Sequence, residues 1–95
     1  MLPTYESDLY ETVKYIKSVL KNKAAGESLV TDIEHAIIDR AFSPLMFKPY
    51  PTKRKRKYKY YPIYIRNFIV FYVVIDNVME IRRLIYRKRD IDSNL

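Results

Sequence analysis

An α+β fold, with a helical hairpin packed on one face of a small antiparallel sheet, follows from three features of this chain. Apolar residues recur at helical spacing from Leu9 to Ala41. β-Branched and aromatic residues dominate from Tyr58 to Tyr86. Pro44 stands between the two regimes, where its ring cannot continue a helical hydrogen-bond ladder. Ninety-five residues suit one small domain, 1–95, which buries only part of its surface by itself.

In the first helix, Leu9, Val13, Ile16 and Leu20 form one stripe with Lys14, Lys17 and Lys21 between them, predicting a helix over 6–21. Ser7 and Asp8 are the expected caps near its start. Lys21-Asn22-Lys23 is the expected connection, with the single glycine, Gly26, near the start of the second helix. That helix is predicted over 24–42 from Leu29, Ile33, Ile37 and Ala41, with Glu27, Glu34 and Asp39 on its polar face. Two helices joined by so short a turn form an αα-hairpin. Leu45 to Thr52, holding Pro49 and Pro51, reads as extended loop.

Three strands are expected next, over 57–63, 66–75 and 78–86. Pro62 marks the first as an edge strand or a bulge, because it cannot donate to a ladder. Arg66 to Ile75 has the composition of a buried central strand. Asp76-Asn77 suits a two-residue hairpin turn, since both residues tolerate left-handed backbone angles. In the last strand, alternation points Met79, Ile81, Arg83 and Ile85 one way and Val78, Glu80, Arg82, Leu84 and Tyr86 the other. One face must cover the helices, so Arg82 and Arg83 cannot both be buried. Arg87 to Leu95 reads as a charged tail. Phe71 and Tyr72 are expected to be largely structural.

Charge divides the chain in half. Residues 1–50 carry six bases and seven acids, a net of −1, whereas 51–95 carry twelve bases and four acids, a net of +8. Lys53, Arg54, Lys55, Arg56, Lys57 and Lys59 make one cluster, interleaved with or followed by Tyr58, Tyr60, Tyr61 and Tyr64. A positive surface mixed with stacking rings fits a polyanion: RNA, DNA or an acidic protein partner. The same cluster also suits a solvated loop.

Other chemistries find little support. With no cysteine and one histidine, His35, a zinc site is not expected, and His35 reads as a surface or boundary residue. A single glycine leaves no glycine-rich phosphate loop, and no cofactor is expected. The longest apolar run, Phe68 to Ile75, falls far short of the roughly 20 residues that cross a bilayer. The N-terminal residues lack a basic segment followed by an apolar one, so no signal peptide is expected. A cytoplasmic protein without membrane partners is the expectation.

Asn67-Phe68-Ile69-Val70-Phe71-Tyr72, a two-residue turn, and then Ile81-Arg82-Arg83-Leu84-Ile85-Tyr86-Arg87-Lys88-Arg89-Asp90 resemble the C-terminal half of the RelE/ParE superfamily of bacterial toxins. Ser7-Asp8-Leu9 with Tyr15-Ile16 is similar to that family's first helix, and Ala24-Ala25 with Leu29 and Ile33 to its second. The resemblance implies the toxin of a type II toxin–antitoxin pair, in hetero-oligomer with a cognate antitoxin that masks its basic face. The family opens with a strand of about half a dozen residues. Only Met1 to Thr4 precede the helical pattern here, so that strand is expected to be short or missing.

The superfamily divides by target. RelE-like members cut mRNA on the ribosome, which needs a base, a leaving-group acid and cations for the phosphorane charge. The resemblance implies lysines on the strand before the central one, an arginine on the central strand, and a C-terminal arginine and tyrosine. Ile69 stands at the central arginine position, Lys57 and Lys59 sit about three residues too far upstream, and Arg89 has no tyrosine after it. ParE-like members inhibit DNA gyrase without that set, and the Leu84-to-Asp90 ending is close to theirs, so the reading leans to gyrase. On this resemblance Arg83, Tyr86 and Arg89 are the expected functional face, catalytic if the target is mRNA, and Lys53 to Lys59 bind the target. A non-toxic RNA- or DNA-binding module is the competing class, with exposed tyrosines stacking on bases.

Overall fold

The computed structural model describes residues 4–95. Its elements run α1 (Tyr5–Ser18), α2 (Lys23–Ala41), β1 (Tyr61–Ile65), β2 (Phe68–Ile75), β3 (Val78–Tyr86) and α3 (Ile91–Asn94). The three strands form one antiparallel sheet in the order β1-β2-β3. This is the α+β arrangement that the change of hydrophobic period predicts. The expected shortening of a first strand concerns residues 1–3, which lie outside the described residues.

Helix α1 starts and ends earlier than its apolar stripe suggests. Thr4, rather than Ser7 or Asp8, is the N-cap: its Oγ1 accepts the Ser7 amide at 3.2 Å. Asp8 is thereby free for another role. At the other end Lys21 takes a left-handed backbone (φ 51°), and the Asn22 amide reaches back to the Ile16 carbonyl at 3.2 Å. That closure spans six positions, one more than a Schellman motif, with lysine at the left-handed position where glycine is usual. Asn22 then caps α2 by accepting the Ala25 amide at 3.0 Å. Gly26 allows the two helices to approach closely, since a Cβ there would lie 3.3 Å from Lys17 Cγ.

One face of the sheet covers the hairpin. Leu29 and Ile33 of α2 pack with Tyr61, Ile63, Ile65, Val70, Tyr72 and Leu84. Arg40, near the end of α2, fixes the following loop: its Nη1 donates to the Pro62 carbonyl at 2.9 Å and the Tyr72 hydroxyl at 3.1 Å. The Tyr72 hydroxyl in turn donates to the Pro44 carbonyl at 2.8 Å, and the Phe47 ring lies 3.6 Å from the guanidinium. Tyr72 is structural, as expected. So is Phe71, which is fully buried on the opposite face.

That opposite face is sealed from a direction the charge pattern concealed. Ile91 and Leu95 come back over Ile69, Phe71 and Ile85, with Tyr50 and Tyr60 beside them. The expected charged tail is therefore the short helix α3, capped by Asp90. The Tyr50 ring meets Phe71 edge-on at 5.2 Å. Tyr60 gives its carbonyl to the Tyr50 amide at 2.7 Å, so β1 begins at Tyr61 and not at 57.

Two further corrections concern register. Arg66, placed in a strand by composition, has φ 52° and occupies the β1–β2 turn with Asn67. In β3 the pairing jumps from Phe71↔Arg83 to Tyr72↔Ile81, leaving Arg82 as the extra residue of a bulge. Simple alternation fails there: Met79 and Ile81 on one side of the bulge and Leu84 on the other all join the helix-side core. Neither Arg82 nor Arg83 is fully buried. The Asp76-Asn77 turn forms as expected, with φ of 51° and 65°.

Replacing Lys21 by glycine relieves a left-handed lysine and should stabilise the fold by about 0.5–1 kcal/mol. A thermal melt of Lys21→Gly beside the parent reads this directly, and a lowered midpoint contradicts the assigned helix ending.

Candidate functional site

The site is built on the outer edge of β3, where α1 crosses it. Asp8, in the first turns of α1, points its carboxylate at β3. Arg83 Nε and Nη2 approach Asp8 Oδ2 and Oδ1 at 2.6 and 3.2 Å, a two-point pairing in which both side chains are only 14% exposed. Asp8 Oδ2 also accepts the Leu84 amide at 3.0 Å. Arg83 Nη1 donates to the Asn94 carbonyl of α3. One carboxylate and one guanidinium thus join α1, β3 and α3.

Below this node a groove opens between α1 and β3, with a volume of about 850 Å³. Tyr15 and Ile16 line it from α1, Leu20 from the turn that follows, Asn67 and Phe68 from the β1–β2 hairpin, and Arg83, Tyr86 and Arg89 from the C-terminal segment. The three residues expected to share a functional face therefore do line one groove. They differ in freedom: Arg83 is engaged, whereas Tyr86 and Arg89 are exposed. The Tyr86 ring leans on Phe68 at 5.6 Å, and the neighbouring Arg87 guanidinium lies 5.0 Å from the Tyr64 ring. An arginine beside supported aromatic rings binds anions and flat apolar groups together.

The basic cluster does not line that groove, and part of it is tied down. Asp92 of α3 accepts the Lys53 amide at 2.9 Å, and the Asp92 carbonyl accepts Arg56 Nη2 at 2.7 Å. Arg56 also lies over the Tyr60 ring at 5.6 Å. Lys57 sits over the Tyr58 ring at 5.4 Å. Arg54, Lys55, Lys57 and Lys59 remain exposed, while Tyr58 and Tyr60 are half-buried. Residues 57–60, expected within the first strand, are loop before β1.

Sequence reasoning missed the helical wall of the groove. Tyr15 lies off the Leu9-Val13-Ile16-Leu20 stripe, and an aromatic residue off the core stripe is the signal that pointed there. His35 is exposed on α2. Among the described residues no group of three or more His, Cys, Asp or Glu side chains could hold a metal ion. No helix of the described residues is long and apolar enough to cross a membrane.

Residues 1–91 match the family described as the ParE toxin of the type II toxin–antitoxin system, parDE. The chain belongs to the ParE toxin family. It is therefore a type II toxin, and membership implies a cognate antitoxin as partner. No curated protein and no solved structure matches the chain. In this ParE-family toxin, the helical hairpin, the three-stranded sheet and the C-terminal segment bearing Tyr86 all fall within the matched residues.

Two variants separate architecture from surface. Asp8→Ala strands the Arg83 guanidinium and the Leu84 amide, and should cost about 3 kcal/mol in a denaturant melt. Arg89→Ala should leave the same melt unchanged.

A pH effect is expected at α3. The Ser93 hydroxyl and then its amide donate to Asp90 and hold its carboxyl below the ordinary carboxylate value. A lowered folded pKa means that the cap contributes above the unfolded value and is lost as pH falls through the folded one. An NMR titration of the Ser93 amide should follow that loss in acid. Ser93→Ala, which removes the hydroxyl and keeps the amide, should move the Asp90 carboxyl up towards its ordinary range.

Proposed function

We propose that this toxin arrests growth by binding DNA gyrase through the Tyr86–Arg89 end of the groove, with no bond broken in RNA. The observation that carries this reading is the separation of cations around the groove. Arg83 is committed to Asp8 and Asn94, while Lys57 and Lys59 lie in the loop before β1 and do not line the groove. Ile69, at the position where the nuclease resemblance implies an arginine, is buried under α3. Cleavage by an attacking 2′-hydroxyl needs a base and phosphate-stabilising cations around one point. What Tyr86 and Arg89 offer instead is a ring and a fixed charge, suited to docking on a surface.

In this reading Arg83 is a positioning residue that fixes β3 against α1. Arg54, Lys55, Lys57 and Lys59 supply long-range attraction to an acidic target surface, and Lys53 and Arg56 brace their loop. The cognate antitoxin neutralises the toxin in a hetero-oligomer, and the site of action is the cytoplasm. The Lys57–Lys59 pair, both exposed, favours the RelE-like mRNA nuclease as second reading.

Purified toxin assayed for gyrase supercoiling and, separately, by primer extension on a translated reporter mRNA distinguishes these. The expected result is blocked supercoiling with intact mRNA, and loss of the block in Arg89→Ala with an unchanged melt. Ribosome-dependent cuts would establish the nuclease reading. Absence of both effects, with no growth arrest, would favour a non-toxic nucleic-acid-binding module.

A further inference from the structure

The loop between Tyr50 and Tyr60 is a braced platform for positive charge. Its ends meet where the Tyr50 amide donates to the Tyr60 carbonyl at 2.7 Å. Midway, Asp92 of α3 holds it twice, through the Lys53 amide at 2.9 Å and Arg56 Nη2 at 2.7 Å. Within the loop the Thr52 hydroxyl donates to the Arg54 carbonyl at 3.0 Å. A surface loop with joined ends and internal contacts is an Ω-loop. Residues 53–59 of this one hold six bases and no acid. Lys53, Arg54, Lys55, Lys57 and Lys59 are exposed, and none of these five has an ion-pair partner among the described residues.

The tyrosines of the loop decide which polyanion suits it. Proteins that bind single strands rely on free rings on which bases stack. Here Lys57 lies over the Tyr58 ring at 5.4 Å and Arg56 over the Tyr60 ring at 5.6 Å. Both tyrosines are half-buried, and Tyr60 also meets the Phe71 ring at 6.5 Å in the core beneath α3. Rings engaged in this way are no platform for bases. What points outward is a set of ammonium groups and one guanidinium, which meet phosphates without reading a sequence. A duplex offers them one charge for every ~1.7 Å of its axis. Five unpaired cations within residues 53–59 match so dense a row better than the scattered carboxylates of a protein surface.

We propose that the Lys53–Lys59 loop binds the phosphate backbone of duplex DNA, independently of base sequence. The choice of DNA as the duplex rests on the gyrase reading above and deepens it, because the toxin then holds the enzyme and the enzyme's DNA together. The position of the loop agrees with this. Beside the Ser93 hydroxyl and amide, the charges of Lys53 and Arg54 help to hold the Asp90 carboxyl down, so the start of the loop stands near the turn that bears Arg89. A partner docked at Tyr86 and Arg89 therefore has the loop at its rim. Lys55, Lys57 and Lys59 act there at contact distance, and Arg56 serves as the brace that keeps them outward.

The test is fluorescence anisotropy of a labelled DNA duplex of arbitrary sequence, titrated with purified toxin alone between about 50 and 200 mM salt. Affinity should fall with salt, with a logarithmic slope of about −0.9 for each phosphate neutralised. Lys55→Gln, Lys57→Gln and Lys59→Gln together should flatten that slope by about 2–3 and weaken binding at least about tenfold, with an unchanged melt. Lys55→Arg, Lys57→Arg and Lys59→Arg together should keep both slope and affinity. Lys14→Gln, Lys17→Gln and Lys23→Gln remove the same charge from exposed positions of the helical hairpin and should leave the slope as it was. Equal weakening by both glutamine sets means that net charge alone is responsible, and overturns the site. Tighter binding of a single strand, or of duplex RNA of the same sequence, overturns the assignment to duplex DNA. So does displacement of the duplex by polyglutamate at equal charge, which gives the loop to an acidic protein. Supercoiling is read separately. Duplex binding without inhibition of gyrase refutes the gyrase reading and leaves the DNA site standing, whereas absence of duplex binding overturns the proposal whether or not gyrase is inhibited.

Discussion

The pairing of Asp8 with Arg83 is the contact on which the rest of the arrangement depends. Asp8 is available because Thr4 caps α1 one turn earlier. Arg83 reaches both Asp8 and Asn94 because it follows the bulge at Arg82, which turns the strand edge toward α1 and α3. Without the bulge, a residue opposite Phe71 would belong wholly to the face that α3 covers. With it, one guanidinium serves both layers. Two charges at low exposure gain little over a well-packed apolar pair, so the arrangement is better explained by specificity than by stability. It fixes how far along β3 the first helix lies.

Much of the fold is legible in the sequence because it is written in apolar spacing. Leu29 and Ile33 recur at helical period, Phe68 to Ile75 is apolar throughout, and Asp76-Asn77 announces its turn. What is not legible depends on pairing between distant segments. The bulge at Arg82 leaves no mark in composition, so alternation misassigns one side of β3. Helix α3 is four residues long, and its burial rests on Ile91 and Leu95 meeting Ile69 and Phe71 across the sheet. No local pattern carries that information.

The site divides the same way. Arg83, Tyr86 and Arg89 cluster as their spacing on β3 and beyond suggests, but their roles separate only when Asp8 is seen beside one of them. The basic cluster reads as uniform in sequence, yet Asp92 lies 39 residues beyond Lys53 in the chain and engages two of its members. Charge count could reveal the field around the molecule. It could not reveal which cations were already occupied.

The two edges of the sheet are managed differently. An open strand edge invites pairing with other chains, and proteins blunt it with proline, charge or a covering element. On β1, Pro62 removes a donor and Arg40 occupies the Pro62 carbonyl, so that edge is closed at its start. On β3, Asp8 closes the Leu84 amide, and the turn at Arg89 closes the Tyr86 carbonyl. Each closure removes a group that an antiparallel intruder needs. Among the described residues, the β3 edge is thus blunted against antiparallel pairing, the direction in which a second copy would add by two-fold symmetry.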